Sequence, residues 1–312
     1  MRLVDIMNQL PSLHGFTHMT KVNKGYSPDD KYLITVGETR YFVRLSDLVH
    51  HEKRQKEFAL LQDLAKQGVH THKAIDYTVL REANLSAMVV SFLEGSPADE
   101  AIHQLSDSEQ YQLGLAAGKQ LSAIHRVNPP QNINWEASQR KKFFTYFKAY
   151  QQDSYHLPQE AKLVSFIDAH LPLLKHRPIT LLHDDFHLGH IICKDQTFNG
   201  IIDFNGFDVG DPYHDFYNLA LFSRRHSIPF CIGQINGYFP SAPDETFWQL
   251  YALYAAMTVF STIVWTRQYD PPSFDDALER IQLILQDHDH FSWTKPIWYT
   301  DDYPLPNNAN IF

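Results

Sequence analysis

At 312 residues, with 44% hydrophobic and 20% charged positions, the chain has enough apolar material for a large globular core and lacks the low-complexity tracts of a disordered protein. A net charge of −9 argues against a nucleic-acid surface, no run of about 18 consecutive apolar residues marks a membrane span, and two cysteines are too few for a disulfide framework. These features describe a soluble, cytoplasmic enzyme unit of two lobes, with Cys193 and Cys231 as buried thiols in a reducing compartment.

Apolar alternation predicts a strand near Met19–Asn23, then a hairpin from Lys31–Val36 and Arg40–Leu45. Residues 52–68 follow with apolar spacing near 3.6 and a terminal Gly68, the pattern of a helix. Two more strands, at 74–81 and 86–92, complete an antiparallel sheet carrying one helix, and Leu93–Pro97 reads as a hinge. Beyond it the periodicity predicts helices at 106–127, 136–152, 158–175, 212–225 and 243–268. Residues 205–312 hold 5 basic and 13 acidic side chains, so −8 of the net charge falls there and an electronegative wall is expected.

Inside the helical part, two apolar runs, Ile179–Leu182 and Gly200–Phe204, bracket the loop His183-Asp-Asp-Phe-His-Leu-Gly-His190. A carboxylate follows each run, Asp185 in the loop and Asp203 at the end of the second. One carboxylate can accept a proton while another holds a cation, the division that phosphoryl transfer between polyanions needs. Read for metal ligands alone, His183, Asp185, His187 and His190 also suit a transition-metal hydrolase. His183 reads as a structural hydrogen-bonding residue, and His187 as either loop scaffold or substrate contact. Asp208, Asp211 and Asp215 read as supports of the loop, the last two also as caps of a helix from Pro212. The tract Asp287–His290 reads as solvated.

His183-x-Asp185 with His190 five residues on, Ile202-Asp203-Phe204 and Gly210-Asp-Pro-x-x-Asp215 together resemble the aminoglycoside phosphotransferase family, which shares the protein-kinase-like fold. The resemblance implies an α+β fold, with a nucleotide-binding lobe over residues 1–94 and a catalytic, substrate-binding lobe over 95–312. It implies Asp185 as catalytic base and Asp203 and His190 as ligands of Mg²⁺ or Mn²⁺, with ATP or GTP as donor. Arg44 is implied on the nucleotide phosphates with Glu57 as its acidic partner, Gly25 and Ser27 in the loop covering those phosphates, and Ser91, Phe92 and Leu93 at the adenine. The sequence departs from the family's pattern at His190 for Asn, Arg44 for Lys and Asp184 for Gly. Macrolide kinases of the family are similar in having His at the first of these.

The implied activity is transfer of a γ-phosphate to the hydroxyl of a small molecule. The acidic last third, with Trp265, Trp293, Trp298 and Tyr299, points to a cationic acceptor such as an aminoglycoside. Kinases of macrolides, choline, homoserine and other metabolites share the fold, and a nucleotide-binding protein without turnover is a further alternative raised by His190 and Arg44.

Overall fold

The computed structural model describes residues 2–23, 27–129, 131, 133–301 and 303. The chain divides into two compact units, one of Met1–Gly95 with Asn199–Asn205, the other of Ser96–Phe198 and Gly206–Phe312. The break falls beside the expected hinge, but seven residues around Asp203 return to the first unit.

Unit 1 contains α1 (Leu3–Met7), β1 (His18–Val22), β2 (Asp30–Val36), β3 (Thr39–Asp47), α2 (His51–Lys66), β4 (Ala74–Leu80) and β5 (Leu85–Ser91). The strands form one antiparallel sheet in the order β1-β2-β3-β5-β4, as the alternating sequence predicts. One core joins Ile6, Met7, Leu10 and Leu13 of the N-terminal segment to Tyr32, Ile34, Val43, Leu45 and Val89 of the sheet. Helix α2 buries Leu60, Leu61 and Leu64, the stripe that its 3.6-residue spacing requires.

Unit 2 begins with β6 (Ser96–Pro97), α3 (Ala98–Ala101), α4 (Asp107–Ile124), α5 (Trp135–Gln151) and α6 (Glu160–His170). Ser106 caps α4 through a reciprocal pair, its hydroxyl accepting the Glu109 N–H while its own N–H donates to the Glu109 carboxylate. Strands β7 (Thr180–Leu182), β8 (Ile191–Lys194), β9 (Thr197–Ile201, entering unit 1 at Asn199) and β10 (Asp208–Gly210) frame the ionisable loop. Strand β7 pairs with β10 and β6 with β8. Gly210 is fixed by packing, since a Cβ there would lie 2.1 Å from the Trp135 ring.

Helices α7 (Ile228–Tyr238), α8 (Glu245–Tyr269) and α9 (Phe274–Asp287) complete unit 2. By length and composition α8 could cross a membrane, but 83% of its apolar stretch is buried inside the protein, and it is the central helix of the unit. The helix expected over 212–225 is replaced by a 3₁₀ segment, Pro212–Phe216, and a π turn, Leu219–Ser223. Asp215, Phe216, Asn218, Leu219, Ala220 and Leu221 are all buried, so most of this stretch is packed inside and its winding follows tertiary contacts. Helix α7 was not expected. It crosses α4 at backbone contact, for a Cβ on Gly114 or Gly118 would lie 2.2 or 2.0 Å from the carbonyl oxygens of Phe230 and Gln234.

Candidate active site

Unit 2 builds the ionisable loop on a buried carboxylate. Asp215, with no exposed surface, accepts the N–H of His183 at 2.9 Å and of Asp184 at 2.8 Å, and His125 Nε2 lies 3.0 Å from it. Burial pushes the Asp215 carboxyl up, but the His125 hydrogen bond and the neighbouring imidazoles outweigh it, so its pKa falls below the ordinary value. The residue therefore holds loop backbone, and the helix cap expected of it is made by Asp211 instead. Asp211 accepts the Tyr213 N–H at 3.1 Å as a cap and binds Arg177 at 2.8 Å and the Tyr254 hydroxyl at 2.6 Å.

Asp184 occupies the left-handed region at φ 64°, a conformation that explains why glycine suits this position. Its carbonyl accepts the Tyr217 hydroxyl at 3.1 Å and its carboxylate lies 3.1 Å from His214 Nδ1. These partners turn Asp184 into the body of unit 2 and leave Asp185, about half exposed, as the loop's outward carboxylate.

Three histidines surround Asp185 in fixed tautomers. The Gly189 N–H donates to His187 Nδ1 at 3.1 Å, so the neutral ring carries its hydrogen on Nε2, which faces Asp185 Oδ1 at 3.2 Å. The Asp185 N–H donates to His183 Nδ1 at 3.3 Å, which sets the same tautomer there. His190 is the opposite case. Its Nδ1–H donates to the Asp185 carbonyl at 2.9 Å, which puts the lone pair on Nε2, the form that ligates a cation. Removal from water raises the Asp185 carboxyl, yet the His187 bond and the charges of His190, His187 and His183 bring its pKa down to about 2.

Ligand atoms of Asp185, His187 and His190 lie within 4.8 Å of one another, the arrangement a hydrolytic metal site requires. The His187 tautomer opposes that use, because its nitrogen facing Asp185 bears hydrogen rather than a lone pair. His187 is thus a hydrogen-bond donor to Asp185.

Unit 1 gathers a second cluster. Arg44 Nη1 donates to both oxygens of Glu57, at 2.8 and 2.9 Å, and all of Arg44, Arg54, Glu57 and Asp29 are buried. Arg54 binds Glu57 at 3.0 Å and Asp29 at 2.5 Å, so two guanidinium groups and two carboxylates neutralise one another. Arg54 and Asp29 were not anticipated. The signal for Arg54 was its position three residues before Glu57, one turn along the same helix face. Arg44 Nε makes no hydrogen bond among the described residues and lies 3.7 Å from the Asp29 carboxylate, which completes the ring of ion pairs.

Lys31 stands directly opposite Arg44 in the β2–β3 ladder, so the two cations share a face. Burial and Arg44 lower the Lys31 pKa, against the pull of Asp203 and Asp29. Asp203 lies in the segment returned to unit 1, at φ 68°, with its carboxylate accepting Asn205 Nδ2. Ile201 anchors that segment through its N–H to the His70 carbonyl at 2.8 Å and its carbonyl to the Thr71 hydroxyl at 2.7 Å.

At the hinge, Ser91 is fully engaged within unit 1. Its N–H donates to the Lys73 carbonyl, its hydroxyl accepts the Lys73 N–H at 2.8 Å, and its carbonyl accepts His72 Nδ1–H at 2.6 Å. The Phe92 N–H donates to the Arg40 carbonyl and its ring lies under the Arg40 guanidinium, while Leu93 packs against Gly200. Ser27 donates to Asp29 at 2.9 Å, and Gly25 falls outside the described residues.

Two expectations about the acidic third need correction. Asp287 and His288 are buried, not solvated, with Asp287 bound to Arg224 by two hydrogen bonds of 2.7 and 2.8 Å. Nor are its acidic residues uniformly a wall, since Asp211, Asp215 and Asp287 all point inward. Trp298 and Tyr299 are buried too, whereas Trp265 and Trp293 are exposed.

A model of the phosphotransferase enzyme family matches residues 18–251. Among solved structures, the gentamicin complex of APH(2″)-IIa is similar over 93% of this chain and 97% of its own, at 16% identity and a TM-score of 0.66. The GDP complex of aminoglycoside 2′-phosphotransferase-IIIa is similar over 89% and 95%, at 17% identity and 0.67. A thermostable APH(4)-Ia with AMP-PNP and hygromycin B follows at 90% and 96%, 13% identity and 0.65. No curated protein matches the chain.

Proposed function

The chain belongs to the phosphotransferase enzyme family, and from that premise we propose that this small-molecule phosphotransferase moves the γ-phosphate of ATP or GTP onto an acceptor hydroxyl with Asp185 as the base. The observation that carries the reading is the loop around Asp185. A half-exposed carboxylate, oriented by the His187 Nε2–H and kept ionised, is ready to accept the hydroxyl proton as the new P–O bond forms. Its backbone is tied through His183 and Asp184 to buried Asp215, which preserves its aim.

On the donor side, Arg44 and Lys31 are proposed to meet the phosphates, with Glu57, Arg54 and Asp29 holding Arg44 in place. Phe92 and Leu93 are proposed beside the base, since the polar groups of Ser91 are committed elsewhere. Asp203 and His190 offer a carboxylate and an imidazole lone pair, the donors that Mg²⁺ or Mn²⁺ accepts. Such ions supply charge neutralisation to the triphosphate when bound.

For the acceptor we propose an aminoglycoside or another amino-sugar-like cation, supported by carboxylates of the last third that stay exposed, among them Asp208 and Glu245. The two buried free thiols suit a cytoplasmic setting. A coupled ADP-release screen over aminoglycosides, macrolides and small amino alcohols, with ATP and GTP, tests the reading. Acceptor-dependent turnover that vanishes in Asp185→Asn supports it; acceptor phosphorylation unchanged in that variant overturns it.

A further inference from the structure

Away from the ionisable loop, α9 and the Tyr155–Pro158 segment of unit 2 border a groove of about 420 Å³. That volume lies in the range of small-molecule sites, roughly 300–1,000 Å³. Leu157, Ile281 and Leu285, all buried, form its base, and half-buried Tyr155 and Leu278 stand at its sides. The Tyr155 ring is held edge-on to Phe274 at 5.3 Å, which fixes its orientation.

Charge at the groove is one-sided. Asp275 and Glu279, both exposed, lie one turn apart on α9 and have no cationic partner among the described residues. Their neighbour Asp276 makes the contrast, being bound by Arg225 and Arg280. Among the described residues no Lys or Arg lines the groove, and the one imidazole there, His290, arrives on a turn in which Asp289, His290 and Phe291 have φ of 44°, 51° and 61°.

We propose that this groove binds a small organic cation with an apolar body, its ammonium between Asp275 and Glu279 and its hydrocarbon against Tyr155 and Leu278. Apolar walls recover the hydrocarbon area from water, and the two carboxylates complement one positive charge. The site requires neither nucleotide nor Asp185, so it stands apart from the kinase reading.

Calorimetric titration of the full chain without nucleotide, using 4-phenylbutylammonium, its neutral isostere 4-phenylbutanol and anionic 4-phenylbutyrate, tests the proposal. The ammonium should bind at least about tenfold more tightly than the alcohol, the carboxylate should not bind, and nuclear Overhauser effects should connect the ligand to Tyr155 and Leu278. The double variant Asp275→Asn, Glu279→Gln should lose about tenfold in affinity, and Leu278→Lys should abolish binding, whereas Asp289→Asn should bind as the parent does. Circular dichroism confirms that each variant is folded. Equal affinity for ammonium and alcohol, undiminished binding by the double variant, contacts elsewhere on the surface, or no binding of the ammonium at millimolar concentration would each overturn the assignment.

Discussion

His187 donates its Nε2–H toward Asp185 Oδ1 at 3.2 Å, while the Gly189 N–H holds the other ring nitrogen at 3.1 Å. The imidazole is therefore clamped on both sides and directs a donor at the proposed base. Asp185 titrates at about 2, below its usual value, so it is ionised throughout the neutral range and no acidic limb of the rate profile near neutrality belongs to it. Replacing His187 with Ala removes the largest lowering influence and leaves burial unopposed by that bond. The Asp185 pKa should rise, as read by carboxyl carbon NMR. Asp185→Asn should lower kcat by about 10²–10⁴ while nucleotide affinity is retained, measured by single-turnover assay and nucleotide titration.

Metal dependence separates the two proposed ligands. Asp203→Ala should abolish metal-dependent nucleotide binding, because the proposed carboxylate ligand is lost. His190→Asn should retain activity and shift preference from Mn²⁺ toward Mg²⁺, since an amide oxygen is a harder donor than imidazole. Titrating each ion against turnover and fluorescent-nucleotide binding reads both outcomes, and identical metal profiles in the parent and both variants would count against the assignment.

The buried quartet of Arg44, Arg54, Glu57 and Asp29 balances only when all four are present. Glu57→Ala would leave two guanidinium groups facing one carboxylate in a dry site and should destabilise unit 1 by about 3–5 kcal/mol. Urea denaturation measures this loss, and nucleotide affinity should fall in parallel because Arg44 is no longer held. A variant with unchanged stability would show the cluster to be more hydrated than its burial implies.

Asp215 makes stability depend on pH. Its folded-state pKa is depressed, so its contribution is complete above its unfolded value of about 3.9 and is lost as pH falls through the lower folded value. Asp215→Asn should flatten the acid side of the stability profile in that window. The amide can accept one backbone N–H but not replace both carboxylate oxygens at His183 and Asp184, so turnover should drop even where the protein stays folded. Melting curves from pH 2 to 7, paired with activity, check both parts.

Much of this was legible in the sequence because it is local. Strand alternation and the stripe of α2 depend on spacings within one element, whereas the pairing of Arg44 with Glu57 was implied by the family resemblance alone. The loop was legible as a motif, but its tautomers were not, because they are set by Gly189 and by the Asp185 backbone, which acquire their directions only in the fold. Helix α7 was missed since Pro229, Gly233 and Gly237 are poor helix formers, and their use becomes clear only once α4 lies against them. Asp287 misled for a similar reason: the partner that permits its burial, Arg224, is 63 residues away. Residues 212–225 failed as a regular α-helix because tertiary contacts around the mostly buried run 214–221 overrode their own periodicity.

The glycine contacts between α4 and α7 bear on how well the loop keeps its aim. Helices separated by side chains can slide, because rotamers shift and take up the displacement. Here carbonyl and Cα atoms meet directly, at Gly114 and Gly118 on one helix and Gly233 and Gly237 on the other, so no such cushion exists and the pair must move as one piece. His125, at the end of α4, and Tyr238, at the end of α7, meet at 2.9 Å, and the same imidazole reaches Asp215. A jig with no play between its two arms thereby clamps the carboxylate to which the backbone of His183 and Asp184 is fastened.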